Sequence, residues 1–202
     1  MSLRLRSLAG WCLLVAAIGC VGCRSDRSGR ILDENEDDYV GSRAAGAATY
    51  DRLINESVSK LLARPGAAAG GEKLRVAYLG VENASAEDLG DFREQIFDLI
   101  DTSISTSGRY ESLSGRFVER ALREAGLKRD DLFLPKYRRT FAQVLEKSDS
   151  PVDFLLFSKI TSGTTEGESV RQRNYLLTLE LVDIETGQRE QEAARIRKAY
   201  TR

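Results

Sequence analysis

At 202 residues the chain has room for one domain with a proper hydrophobic core and some non-globular sequence beside it. Thirty Lys and Arg against 31 Asp and Glu give a net charge of −1, which excludes a general electrostatic attraction to nucleic acid. Histidine is absent from the sequence, which removes the commonest catalytic base and metal ligand, and the three cysteines, Cys12, Cys20 and Cys23, leave everything after residue 23 without a thiol or a disulfide.

In chain order, Arg4 and Arg6 precede a short apolar run that ends Ala17-Ile18-Gly19-Cys20. The run is of signal-peptide length and falls short of the roughly twenty residues a membrane-spanning helix needs. A small residue directly before a cysteine at the end of such a run resembles the lipobox of bacterial lipoproteins. Residues 1–19 are therefore expected to be an export signal, with Cys20 lipidated and Cys23 as the rival site. Residues 20–48 then read as an acidic, glycine-bearing tether, in which Asp33, Glu34, Glu36, Asp37 and Asp38 repel one another.

A globular domain is expected over 49–202. Leu53, Ile54, Val58, Leu61 and Leu62 form one side of a helix that Thr49 starts and Arg64-Pro65-Gly66 ends. Leu74 to Asn83 reads as a buried strand. Ser85 then predicts a helix cap, with Glu87 and Asp88 in the first turn and Leu89, Phe92, Ile96, Leu99, Ile100 and Ile104 on its apolar face. A short strand over 109–113, a helix from Ser114 to Gly126, a helix from Tyr137 to Lys147 and a strand over 152–160 follow. Residues 161–173 are polar and predict a long loop.

The chain ends in a predicted hairpin. Tyr175, Leu177, Leu179 and Leu181 alternate along its first strand, and Gly187 supplies the positive φ its turn needs. The returning strand carries Glu190, Glu192, Arg195, Arg197 and Lys198, charges that suit a sheet edge. Alternating helices and strands followed by a meander predict an α/β (α+β) fold, a mixed sheet of about five strands with helices packed on it.

The candidates for chemistry are few. Gly80 and Gly90 are too far apart for a phosphate-cradling loop. Glu87 and Asp88 are adjacent, so they share no helix face as an acid/base or metal pair, and a helix-start role accounts for them. Ser158-Lys159 is a serine–lysine pair within a strand, with nothing to distinguish it from residues alternating across a sheet. One basic cluster, Lys136, Arg138 and Arg139 around Tyr137 with Lys128 and Arg129 upstream, reads as a solvated helix face or as a surface for an anionic polymer, lipid head groups or an acidic protein. The loop 161–173 leaves a binding role open. No catalytic, cofactor-binding or metal-binding residue is expected.

Four stretches carry a family resemblance: Val76-Ala-Tyr-Leu-Gly-Val-Glu-Asn83; Ile96 to Gly108-Arg-Tyr110; Asp153-Phe-Leu-Leu-Phe-Ser-Lys-Ile160; and Tyr175 to Gly187 with Ile196-Arg-Lys198. Together they make the region from about 49 to 202 resemble the LpoB family, outer-membrane lipoprotein activators of penicillin-binding proteins. The resemblance implies a fold similar to the N-terminal domain of the TolB protein. It also implies a non-enzymatic role: a lipid-anchored protein facing the periplasm that binds a bifunctional peptidoglycan synthase and stimulates it. The alternative is an accessory binding lipoprotein of an envelope secretion or assembly complex. Two departures stand out. Family members often carry a long proline-rich tether, whereas this chain has only Pro65, Pro135 and Pro151, and Gln191 stands where relatives commonly place tryptophan.

Overall fold

The computed structural model describes residues 45–64, 73–167 and 170–201. Five strands form one mixed sheet in the order β2-β1-β3-β4-β5. β1 (Leu74–Ala84) runs parallel to β2 (Tyr110–Ser112) on one side and to the central strand β3 (Phe154–Glu166) on the other. β4 (Val170–Asp183) and β5 (Arg189–Thr201) complete the sheet as an antiparallel meander. This is the expected mixed five-stranded sheet with packed helices.

Both faces of the sheet are covered, which is why β1 and β3 read as nearly continuous apolar runs. On one face, Val76, Tyr78, Leu156, Ile160, Tyr175, Leu177, Leu179 and Leu181 pack against α1 (Ala47–Ala63) and α2 (Phe92–Thr106). On the other, Ala77, Leu155, Phe157 and Val182 meet α3 (Gly115–Ala125), a 3₁₀ turn over Arg129–Phe133 and α4 (Pro135–Lys147). Most of the predicted stripes are buried: Leu53, Ile54, Val58 and Leu61 in α1, Ile96, Ile100 and Ile104 in α2, Val118 and Ala121 in α3, and Phe141 and Leu145 in α4. Leu99, expected on the apolar face of α2, instead sits at the margin of that face and is exposed. The last turn of α1 is closed from outside by Arg109, which donates to the carbonyls of Leu62 at 3.1 Å and Arg64 at 2.6 Å.

Several boundaries differ from the sequence reading, each for a local reason. α1 begins at Ala47 with Gly46 at its N-cap, so Thr49 is a buried residue inside the first turn and caps nothing. α2 begins at Phe92, not after Ser85, because Asn83 claims the intervening loop. Its side chain donates to the Glu87 carbonyl at 2.7 Å and accepts from the Ser85 amide and hydroxyl, a turn that competes with helix capping. α4 starts at Pro135, whose fixed φ suits a first helical position. The polar stretch 161–173 is mostly strand: β3 continues to Glu166, β4 resumes at Val170, and their register is unbroken from Phe154↔Asp183 to Glu166↔Arg171. Its threonines and arginines lack the apolar alternation of a half-buried strand, and its strand character comes from pairing. Cys20, Cys23 and most of the tether lie outside the described residues.

Candidate functional site

A crevice among the described residues follows from the topology. β1 feeds α2 on one face of the sheet and β2 feeds α3 on the other, so a crevice opens where the two connections diverge beyond the strand ends, the usual place for a ligand in a parallel sheet. It has a volume of about 710 Å³, with Tyr78, Phe97 and Val118 in its floor and Arg93, Asp98 and Glu119 among its rim residues.

A bulge in β1 shapes the floor. The pairing with β3 shifts between Tyr78 and Val81, and Gly80 takes φ +85° there, a conformation that costs a glycine little. The turned carbonyl of Gly80 accepts from the Ser158 hydroxyl at 3.0 Å, and Ser158 also shares a 2.8 Å hydrogen bond with the Tyr78 phenol. Phe97 stacks on Tyr78 with ring centroids 4.6 Å apart, and a Cβ at Gly115 would lie 2.8 Å from the Phe97 ring. Arg129 donates to the Ser158 carbonyl at 2.9 Å and lies over the Phe157 ring at 5.8 Å. Burial pushes the Tyr78 phenol far above its ordinary range, against the lowering influence of Ser158 and Arg129, so it stays neutral. Burial also lowers the Arg129 guanidinium.

The sequence's candidates for chemistry are not brought together here. Ser158 is spent on Tyr78 and Gly80, while Lys159 projects from the opposite side of the strand and pairs with Glu82 at 2.9 Å, so the serine–lysine pair is not assembled. The predicted basic cluster is also divided. Arg138 is only 5% exposed and donates to the Ile184 carbonyl at 3.1 Å, Arg129 is part of the crevice, and Lys136 sits over its neighbour Tyr137. Glu87 does not start a helix. Its carboxylate accepts from the Tyr175 hydroxyl at 2.8 Å and the Ala45 amide at 3.1 Å and pairs with Arg173, tying the chain before α1 to the middle of β4. Asp88 accepts from the Gly90 amide at 3.1 Å. Among the described residues, no group of Asp, Glu or Cys is placed to hold a metal ion, and no helix is long and apolar enough to cross a membrane.

Two features escaped the sequence reading. Phe133 and Leu134, at the junction of the 3₁₀ turn and α4, are 45% and 55% exposed, and Phe133 extends the aromatic stack onto Phe157 at 4.5 Å. They fell between the predicted helices, in a stretch given no element, and the hint was Pro135 directly after them. Beyond α4 the same face of the sheet stays open. There Leu176 and Asn174 lie opposite Arg195 and Arg197 in a shallow depression of about 580 Å³.

Comparison with known proteins places this geometry. The family model described as "Peptidoglycan-synthase activator LpoB" matches residues 49–192, from α1 into β5. Among solved structures, the LpoB C-terminal domain from Escherichia coli is similar at 15% identity, covering 72% of this chain and 97% of that one, with a TM-score of 0.50. The corresponding Salmonella enterica domain is 15% identical over 76% of this chain and 98% of its own, with a TM-score of 0.49. The lipoprotein GNA1162 from Neisseria meningitidis is 16% identical over 62% and 83%, with a TM-score of 0.44. No curated protein matches the sequence. The Escherichia coli domain supports the shared fold, and the family model extends over well more than half of the chain: this protein belongs to the LpoB family of peptidoglycan-synthase activators.

Proposed function

We infer that this chain binds a bifunctional peptidoglycan synthase, a penicillin-binding protein, and stimulates its glycan polymerisation and cross-linking without catalysing either step. The observation that carries the reading is the family match, which takes in every helix and the first four strands. The buried satisfaction of Tyr78 and Ser158 agrees with it, since both of these enclosed hydroxyls serve the sheet. A chain without catalytic groups stimulates an enzyme by binding its active arrangement more tightly than its resting one, and shifts the balance only by that difference. Phe133 and Leu134 are the apolar anchors such a contact needs, beside the charge of Lys136.

The finer assignments belong to the same proposal. Residues 1–19 are the export signal, 20–48 the tether and 49–202 the synthase-binding domain. Cys20, with Cys23 as rival, carries the lipid that holds the protein to the outer membrane, facing the periplasm. The short apolar run before Cys20 and the acidic, glycine-bearing stretch after Cys23 support this partition. The likeness to the TolB N-terminal domain is supported by the mixed sheet with helices on both faces.

The test is glycan synthesis by purified bifunctional synthases, with and without the full-length lipoprotein in detergent micelles. Binding and a raised polymerisation rate are expected with at least one synthase. No binding and no rate change with any of them overturns the reading, and recovery of secretion or assembly components from envelope extract then favours the accessory-binding alternative.

A further inference from the structure

The two edges of the sheet are unequal. β2 is three residues long, whereas β5 is an edge strand of thirteen. The register of β4 with β5 is continuous from Val170↔Thr201 to Val182↔Arg189, so successive β5 residues alternate between bonding β4 and facing outward. α1 identifies the outward set. Lys60 Nζ donates to the Ala193 carbonyl at 3.0 Å and an Arg64 guanidinium nitrogen to the Gln191 carbonyl at 3.1 Å, so residues 191 and 193 face out, and 195, 197 and 199 follow by alternation.

Only the end near the hairpin turn is closed in this way. Among the described residues, nothing bonds the outward backbone groups of Arg195, Arg197 and Ala199. The carboxylates of β5 sit toward the turn, where Glu192 pairs with Arg64. The open end carries the exposed side chains of Arg195 and Arg197, both on the face that α1 and α2 leave uncovered and beside Leu176. A second copy pairing along this edge would set arginine against arginine, which disfavours it. An extended segment with acidic residues at alternate positions meets both demands: its backbone completes the outward groups, and its carboxylates reach the two guanidinium groups.

We propose that the edge of β5 from Arg195 to Ala199 accepts an extended acidic segment of the synthase as a sixth strand. The proposal rests on the synthase reading above and adds where and how the partner attaches.

The experiment compares full-length lipoprotein, in detergent micelles with purified synthase, against two variants. In Arg197→Pro the lost N–H is an outward one, so the pairing with β4 keeps its hydrogen bonds while strand addition is blocked. In Arg195→Glu with Arg197→Glu the backbone is intact and the charge reversed. Both are expected to keep the wild-type unfolding midpoint and to weaken synthase binding about tenfold or more. In the wild-type complex the amides of Arg195, Arg197 and Ala199 are expected to exchange hydrogen more slowly than in the free protein. A folded Arg197→Pro variant with unchanged affinity, or unchanged exchange at those amides in the complex, overturns the proposal and leaves the activator reading standing. If Arg197→Pro fails to fold, the exchange measurement decides alone. If wild-type protein binds no synthase, the activator reading fails; the edge is then tested with a synthetic peptide alternating Glu and Val, which either slows exchange at the three amides or refutes the site.

Discussion

Glu87 shows what one residue does in this fold and why its role was hidden. Its sequence neighbours suggested a helix start, yet its partners Arg173 and Tyr175 lie more than eighty residues away on β4, and pairing at that distance leaves no periodicity to read. The side chains of Arg173 and Glu87 are 18% and 12% exposed, so removing the carboxylate leaves a poorly solvated cation and takes an acceptor from the Tyr175 phenol. Glu87→Ala is expected to cost about 2–3 kcal/mol in a urea unfolding experiment, and unchanged stability would show the tie to be idle. Tyr78 makes a prediction in pH. Its phenol ionises near 10 in the unfolded chain and higher in the folded one, so its contribution is whole below pH 10 and is lost as pH rises through the folded value. Stability should therefore fall above pH 10, by at most about 1.4 kcal/mol per pH unit from this group. Tyr78→Phe should flatten that fall, while Tyr50 and Tyr110, also raised by burial, keep the remainder. Leu134 separates binding from folding. It is exposed and occupies the N-cap of α4, a position that favours aspartate. Leu134→Asp should leave the domain as stable or more so, yet lower synthase affinity about tenfold if the anchor assignment holds.

At the scale of elements, the sequence disclosed what has a period. The apolar stripes of α1, α2 and α4, the alternation of Tyr175 to Leu181 and the glycine turn at 187 all appear in the structure, because each buries a regular face against the sheet. The ends of β3 and β4 were unreadable for the opposite reason: beyond Thr161 the strands pair with each other while much of their surface meets water, so composition resembles a loop. The crevice was equally hidden, since it arises from the order of strands, whereas the charges of β5 did announce its place at the sheet edge. The β4–β5 turn shows elements locked together across the sheet. Gly187 takes φ +75°, and a Cβ there would fall 2.2 Å from the Arg138 guanidinium, which reaches over from α4 to hold the Ile184 carbonyl. Gly187→Ala must both strain the backbone and displace a buried charged donor, at a combined cost of about 3 kcal/mol. Gly126→Ala, whose φ is +67° but whose Cβ would meet nothing within 4 Å, should cost only the backbone share, about 1–2 kcal/mol. Equal unfolding midpoints for the two variants would show that the Arg138 clamp contributes nothing.

For the whole molecule, the question is how a domain of this size acts on a distant enzyme. With Cys20 as the proposed anchor, 25 residues separate the lipid from Ala45, where the bond to Glu87 fixes the chain to the domain. Fully extended they reach roughly 80–90 Å. A tether of that length with no fixed structure has a root-mean-square span of about 25–30 Å, so on the proposed partition the synthase has to come within that reach. Length and contact chemistry are therefore separable. Deleting residues 24–40 should leave stimulation of a purified synthase unchanged in detergent, where no membrane holds the partners apart, and should abolish stimulation in cells. Restoring the length with a Gly/Ser linker should recover part of the cellular activity, and restoring it with a proline-rich one should recover more, because the stiffer chain spends less entropy at the same span. Equal cellular activity of the deletion and the intact chain would mean that the synthase reaches the membrane surface itself, and that the tether sets neither the range nor the rate of activation.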